Sequence, residues 1–203
     1  MDSYFDHQFD CAALRLSPGD YAAVDDDTML VTTLGSCVAA CVWDESAGIG
    51  GMNHFMLPHS RNRDGSVGVP YLSYAGSYGV NAMEMMINAV LLRGGDRRRL
   101  QAKIFGGAAV LKLLNAYGIG QENAGFAKAY LQCERIPIAS ADLGGSFPRQ
   151  IRFWPKNGEV LVRYLKQGLE DVDVVKSETA YAQRLRRPRY GTVELFDPGA
   201  RTP

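Results

Sequence analysis

Two side chains of this sequence have the types and the neighbours of a nucleophile and its base. Cys37 follows Gly35 and Ser36, and His54 follows Asn53 in a second glycine-containing stretch. A thiol is a weak nucleophile until a base removes its proton, and histidine is the side chain best suited to that task near neutral pH. A glycine before the thiol lets backbone N–H groups approach a substrate carbonyl. The alternative is a buried structural cysteine beside a core histidine.

The composition is that of an ordinary globular protein. A chain of 203 residues is long enough for one well-buried domain and short for two. Its hydrophobic content is 46% and its charged content 22%. Lys plus Arg and Asp plus Glu both number 22, so no overall field favours nucleic acid or an anionic membrane as a partner.

The cysteines and the N-terminal residues predict a reducing, cytoplasmic location. The four cysteines, at positions 11, 37, 41 and 133, fit no disulfide-scaffold spacing. Residues 1–6 are acidic and lack the basic and apolar regions of a signal peptide. No apolar run approaches the ~20 residues that span a bilayer, so membrane insertion is not expected.

The hydrophobic pattern predicts an α/β (α+β) chain. Alternation and β-branched residues predict strands at 21–24, 28–34, 38–43, 48–57, 100–105, 136–143, 150–154 and 159–165. Helical spacing predicts helices at 82–91, 108–117 and 122–132, and Gly94-Gly95 ends the first of them. The polar segment 61–70 is expected to be a mobile loop beside the site. Residues 1–16 are expected to be a loosely held extension.

A shared zinc site at Cys37 and Cys41 is not expected. On a strand, residues four apart lie about 13 Å apart at 3.3 Å per residue. Two thiolate ligands must both lie about 2.3 Å from one zinc ion. Val38, Val42 and Trp43 favour a strand here, so we expect no metal at this pair and a core position for Cys41.

Five motifs in order resemble the chemoreceptor glutamine deamidases of bacterial chemotaxis, the CheD family. The resemblance extends roughly over residues 17–164. The chain is also distantly similar to the cytotoxic necrotizing factor toxins. The motifs are Leu34–Ala39, Gly51–Pro58, Lys103–Ala108, Ile119-Gly120 with Asn123, and Asp142–Gly145.

This resemblance implies a cysteine hydrolase fold of the deamidase type, with mixed β-sheets packed as a sandwich and flanking helices. It implies one catalytic domain at 17–165, with an N-terminal extension at 1–16 and a C-terminal extension at 166–203. The C-terminal extension contains a predicted helix at 172–185 and an arginine-rich tail. The tail is a contact for an acidic partner or, as the plainer interpretation, a solvated surface segment.

The implied activity is cofactor-free conversion of receptor glutamines to glutamate. Cys37 would attack the amide carbon and His54 would transfer the protons. Backbone N–H groups at Ser36 and Cys37 would hold the oxyanion. Other substrate-facing candidates are Asn53, which donates to the oxyanion or caps a turn, and Gly106-Gly107, which would form a groove wall with loop 61–70.

A third group should orient the histidine. In the resembling family this is a residue six positions before the nucleophile, and here the ungapped match is Val31, which has no polar side chain. The Val31 carbonyl can orient an imidazole through Nδ1–H. Alternatively, Thr33 takes over, because it shares a strand face with Val31, whereas Thr32 would point away.

Two other classes of function stay open. Some members of the resembling family bind a CheC-type phosphatase, so the chain could be a regulatory binding module. A cysteine protease or acyltransferase would use the same dyad and the same thioester chemistry. Some family members also hydrolyse receptor glutamate methyl esters, which the same site could do.

Overall fold

The computed structural model describes residues 1–57, 74–110, 118–165 and 169–185. Within these ranges the chain forms ten strands and three helices. Three predicted features lie wholly or largely outside them, namely the loop at 61–70, the helix at 108–117 and the arginine-rich tail.

The strands form two five-stranded mixed sheets, which confirms the predicted α+β class. The strands are β1 Asp2–Asp6, β2 Cys11–Arg15, β3 Tyr21–Val24, β4 Met29–Leu34, β5 Val38–Asp44, β6 Ile49–Asn53, β7 Gln101–Gly106, β8 Ile138–Leu143, β9 Arg149–Trp154 and β10 Glu159–Tyr164. The first sheet has the order β1-β2-β4-β9-β10, with only β2 and β4 parallel. The second has the order β3-β6-β5-β7-β8, with only β7 and β8 parallel.

The two sheets pack face to face over a shared apolar core. Leu30 and Leu34 of β4 and Phe153 of β9 contribute to it from the first sheet, and Cys41 and Trp43 of β5 from the second. Side chains alternate between faces along a strand, so the neighbouring residues of β5 face the other way. Every residue of β5 is therefore buried, and this central strand connects both halves of the core.

Helices cover the other face of the second sheet. Helix α1 spans Tyr74–Leu92 and α2 spans Ile119–Cys133. Fully buried residues of α1, at about 1.5–3 kcal/mol for each large side chain, hold it on the sheet; they are Met83, Met86, Ile87 and Val90. Gly94, at φ +104°, ends α1 as predicted, because Gly95 N–H donates to the Val90 carbonyl and Gly94 N–H to that of Leu91. No described helix is long and apolar enough to cross a membrane.

The prediction that residues 1–16 are a loosely held extension is wrong. β1 and β2 form a hairpin, and β2 pairs in parallel with β4. Ala13 and Leu16 are buried, and Leu16 N–H donates to the Val31 carbonyl at 2.8 Å. The N-terminal strands therefore complete the first sheet next to the strand that leads to Cys37. The domain limits at residues 17 and 165 remain a prediction.

Gly35-Ser36 is the place where the chain crosses from one sheet to the other. β4 belongs to the first sheet and β5 to the second, where β5 pairs antiparallel with β6. Cys37 is the first residue after this crossing. The fold thus places the thiol at the junction of the sheets, with backbone N–H groups of a turn beside it.

Candidate active site

The structure brings Cys37 and His54 together, and it adds Glu178 to the pair. The thiol sulfur, a ring nitrogen and a carboxylate oxygen all lie within 4.8 Å of one another. All three side chains are buried. Glu178 lies on α3, which spans Leu169–Leu185 in the region predicted to be a C-terminal extension.

Gly106-Gly107 at the end of β7 contacts the backbone of Cys37 and fixes its position. Gly107 N–H donates to the Cys37 carbonyl at 2.7 Å. Gly106 has φ +109°, and a Cβ there would lie 2.2 Å from the Cys37 carbonyl oxygen. Such a contact is impossible, so only glycine lets β7 approach this closely. The two glycines support the nucleophile turn. The prediction that they form a groove wall with residues 61–70, which lie outside the described residues, stays a prediction.

Main-chain hydrogen bonds fix the backbone of His54. His54 N–H donates to the Asp20 carbonyl at 2.9 Å, and Gly19 N–H donates to the His54 carbonyl at 2.7 Å. These bonds continue the β3–β6 ladder by one step. The base is therefore positioned by the second sheet itself.

The orienting group for His54 is Thr32. Thr32 Oγ1 donates its proton to the Leu16 carbonyl at 2.9 Å and lies 2.7 Å from His54 Nδ1. A hydroxyl has a single proton, so Oγ1 must accept from Nδ1–H. His54 is then the tautomer whose Nε2 is unprotonated. Within the described residues Nε2 has no hydrogen-bond partner, so its lone pair is available for the thiol proton.

Both predicted orienting groups are wrong. The Val31 carbonyl accepts from Leu16 N–H, and the Val31 and Thr33 side chains lie on the opposite strand face from Thr32. The local sequence does not decide between the two faces, since Met29 and Val31 on one face of β4 are as buried as Leu30 and Leu34 on the other.

Glu178 occupies a ring of donors formed by the nucleophile turn. Oε1 accepts from Gly35 N–H at 2.8 Å and from Cys37 N–H at 3.0 Å. Oε2 accepts from Ser36 N–H at 2.8 Å and from Ser36 Oγ–H at 2.7 Å. The predicted convergence of N–H groups near the thiol is thus present in the geometry, and an anion already lies there. We call these four groups the donor ring.

Sequence reasoning missed Glu178. It lies more than a hundred residues from the turn that binds it, so a search for local motifs cannot find this contact. One signal was available in the predicted helix. Val174, Tyr181 and Leu185 follow helical spacing, and Glu178 is a charged residue in the middle of that apolar face.

Burial and charge set the protonation of the pair. Burial raises the pKa of the Cys37 thiol well above its usual value, and the Glu178 carboxylate raises it further. Burial lowers the pKa of His54 to about 4, with Glu178 opposing that change. In this arrangement the thiol is protonated and the imidazole is neutral at pH 7, which is a resting state from which one proton transfer creates the nucleophile.

The three clustered side chains have the types that bind a metal, but the carboxylate is already saturated. A carboxylate offers about four lone-pair sites, and the donor ring occupies four. A cation at Glu178 would have to compete with all of them. The geometry fits an anion pocket better than a metal site. Cys41 lies in the inter-sheet core, as predicted.

The two remaining predicted site residues have different positions. Ser36 contacts Glu178 through both N–H and Oγ, so it lies in the site. Asn53 does not, because its Oδ1 accepts from Ala40 N–H and its Nδ2 donates to the Ala82 carbonyl of α1. Its role is to join helix and sheet, and the prediction that it contacts an oxyanion is wrong.

Asn123 of α2 is a second buried amide that supports the turn. Its Nδ2 donates to the Ser36 carbonyl at 2.8 Å, and its Oδ1 accepts from Leu57 N–H at 2.8 Å. It joins the segment after His54 to the segment before Cys37. The amide therefore keeps the two catalytic segments in register.

Known proteins resemble this chain over nearly its full length. Probable chemoreceptor glutamine deamidase CheD of Methylobacillus flagellatus is 44% identical over 194 residues, covering 95% of this chain and 94% of that protein. The corresponding protein of Xanthomonas campestris pv. campestris is 46% identical over 195 residues, covering 96% of this chain and 94% of its own length. These alignments reach well beyond residues 17–164.

The similarity to solved structures is weak. The Neisseria meningitidis protein NMB0706 has 10% identity and a TM-score of 0.34, covering 63% of this chain and 52% of that one. This level of similarity carries no functional argument. The family model described as CheD chemotactic sensory transduction matches residues 56–164, more than half of the chain. Together with the full-length relatives, this match shows that the chain belongs to the CheD family.

Proposed function

We propose that this protein deamidates glutamine side chains of chemoreceptors. The relatives that it resembles bear the name chemoreceptor glutamine deamidase. The observation that carries the proposal is the Thr32–His54–Cys37 arrangement beside the donor ring. A buried thiol, a base of fixed tautomer and convergent N–H groups are the parts that hydrolysis of an amide through a thioester requires.

The first step forms the thioester. Cys37 Sγ gives its proton to His54 Nε2 and attacks the amide carbon of the glutamine. Thr32 accepts from Nδ1–H throughout and holds the ring in place. The amide oxygen gains negative charge. The N–H groups of Gly35, Ser36 and Cys37, which hold the Glu178 carboxylate in this structure, stabilise the oxyanion once it has replaced that carboxylate, by about 3 kcal/mol for each well-placed donor.

The second step releases the products. His54 passes its proton to the departing amine, so ammonia leaves and the thioester remains. Water then gives a proton to His54 and attacks the thioester carbon. Collapse of that intermediate restores the thiol and yields glutamate. The thiol of Cys37 and the attacking water supply the protons and His54 transfers them, so this route requires no cofactor.

The alternatives differ in what is released. A protease would cleave the chain, and an acyltransferase would transfer the acyl group to an amine instead of water. An esterase acting on glutamate methyl esters would release methanol through the same intermediate. The CheC-type phosphatase as a partner and a cytoplasmic location, where receptor signalling domains lie, remain predictions.

Mass spectrometry of a receptor cytoplasmic fragment tests the proposal. Incubation with the full chain should convert specific glutamines to glutamate and release ammonia, with the fragment intact. Cys37→Ala should give no conversion, whereas Cys41→Ala, which changes an equally buried thiol outside the donor ring, should retain most of it. Fragment cleavage, or conversion by Cys37→Ala at the wild-type rate, would contradict the proposal.

A further inference from the structure

The donor ring holds the same chemical group that the proposed reaction produces. Its ligand is the side-chain carboxylate of a glutamate, bound beside the thiol and the imidazole. Deamidation of a glutamine would leave a glutamate carboxylate at this place. The inference drawn from this coincidence rests on the proposed function and extends it to the manner of substrate binding.

Four hydrogen bonds hold the buried Glu178 carboxylate. A buried charge is costly to desolvate unless it is paired as well as hydrogen-bonded. Among the described residues no lysine or arginine forms an ion pair with Glu178, and its partners all belong to the turn 35–37. The carboxylate also raises the pKa of the Cys37 thiol, so it suppresses the nucleophile next to it.

The element that presents Glu178 is a helix with a matching apolar face. Val174 precedes Glu178 by one turn and Tyr181 follows by almost one turn, and both are 6% exposed. Tyr181 packs into the inter-sheet core. A Cβ at Gly35 would lie 2.9 Å from Glu178 Oε2, so glycine there admits the side chain of a docked helix to the turn.

We propose that α3 is an internal product analogue, bound where a substrate helix docks, with position 178 in the place of the glutamine that is deamidated. The substrate class is then a glutamine on an amphipathic helix, with apolar residues four positions before it and three positions after it. α3 and the substrate helix compete for the same binding site. A glutamine placed at position 178 is itself a substrate.

The chemistry at such a glutamine balances without any added reagent except water. Cys37 Sγ bonds to the amide carbon and passes its proton to His54. The carbon–nitrogen bond breaks and the amine leaves as ammonia with that proton. Water hydrolyses the thioester, which restores the thiol and leaves glutamate at position 178. The product of the reaction is the wild-type residue.

The test uses the full chain with Glu178→Gln, alone and combined with Cys37→Ala. Trypsin cleaves after Lys176 and Arg184, so one peptide carries both position 178 and the native Gln183. Gln183 is exposed on the same helix and serves as an internal control. Tandem mass spectrometry of this peptide identifies the residue at each position, and the same preparations are assayed on a receptor fragment.

The expected result is glutamate at position 178 in Glu178→Gln, and glutamine at 178 in the double variant, with Gln183 unchanged in both. Glutamine retained at 178 in a preparation that converts receptor glutamines would overturn the inference and leave the proposed function standing. Equal conversion with and without Cys37 would also overturn it. Absence of conversion both at position 178 and on the receptor fragment would contradict the inference and the proposed function together.

A peptide makes the same test without altering the protein. A synthetic 169–185 peptide with glutamine at position 178 is added to the wild-type full chain. Conversion at 178, with Gln183 unchanged and no conversion by Cys37→Ala, supports the proposal. A peptide that stays unconverted while the receptor fragment is deamidated contradicts it, whatever the folding of the Glu178 variant.

Discussion

The two sides of the active site are built in different ways. On one side His54 is held by strands of both sheets, with its backbone in the β3–β6 ladder and its ring on Thr32 of β4. On the other side Glu178 comes from a terminal helix and contacts the turn 35–37. His54 is part of the sandwich core, whereas the Glu178 carboxylate is bound to that core as a ligand would be.

This difference separates the groups that form the site from the group that is bound in it. Moving His54 would require breaking main-chain ladder bonds and a buried hydroxyl network. Moving Glu178 requires that α3 leave its binding site and that Tyr181 leave the core, but it breaks no bond within the turn 35–37 itself. Gly107 and Asn123 also hold this turn, and neither belongs to α3. We therefore expect the donor ring to keep its shape without the helix, as a substrate site must.

Replacement of the nucleophile should have the largest effect. Cys37→Ala removes the thiol and little volume, so we expect activity to fall by about 10⁵-fold or more with the fold retained. Ammonia release and a urea unfolding curve measure the two quantities. Cys41→Ala should show the reverse pattern, with near-normal activity and some loss of stability, because Cys41 fills the inter-sheet core.

Replacement of the base, His54, should have the next largest effect on activity. His54→Asn leaves no proton acceptor for the thiol, and we expect turnover to fall by about 10³-fold. The pH dependence of Cys37 alkylation by iodoacetamide provides a second readout. Equal turnover in wild type and His54→Asn would disconnect the imidazole from the reaction.

Thr32 should act through His54. Thr32→Val removes the acceptor of Nδ1–H, so the imidazole loses both its tautomer and its orientation, and we expect about a 10²-fold loss of turnover. Thr32→Ser keeps the hydroxyl and should restore most of it. Thr33→Val is the matched control on the other strand face. Loss of activity in Thr33→Val alone would reverse the assignment.

This assignment shows what the sequence could and could not predict about the site. Cys37 and His54 were identified from residue type and local neighbours, and β5 and β6 from hydrophobic pattern, because each is a local property. Choosing between Thr32 and Thr33 required knowing which face of β4 meets the second sheet. That is a long-range property, and the family match at Val31 led to the wrong face.

The terminal regions were missed for the same reason. β2 is short and partly exposed, and its pairing partner β4 lies across a chain segment with its own strand, so no local pattern indicates the parallel pair. The sequence shows Glu178 as a charge on an apolar helix face, but its place in the site follows only when α3 is placed on the turn that binds it. Binding partners far apart in sequence leave no spacing signature.

The buried imidazole should make stability depend on pH. The pKa of His54 is about 4 in the folded protein and about 6.5 when unfolded. The unfolded state therefore binds more protons between these values, and the free energy of unfolding falls as pH falls from about 6.5 to about 4, by at most about 3 kcal/mol. Urea unfolding at several pH values measures this slope, which should be shallower in His54→Asn. Equal slopes would contradict burial of a neutral imidazole.

The smallest effect is expected on the other side of the site. Glu178→Ala removes a carboxylate that raises the pKa of Cys37, so the thiolate fraction and the alkylation rate of Cys37 should rise, by about tenfold for one pKa unit. Glu84→Ala, an exposed change on α1, is the control. A slower alkylation in Glu178→Ala would show that the carboxylate activates the thiol.

Interception of the thioester tests the central claim most directly. A receptor fragment is incubated with the full chain in hydroxylamine, and the reactive glutamines are examined by mass spectrometry. An acyl-enzyme at Cys37 predicts hydroxamate at the same positions that become glutamate in buffer alone, with the fragment intact and no product from Cys37→Ala. Glutamate formation with no hydroxamate at any hydroxylamine concentration would contradict a covalent intermediate at Cys37.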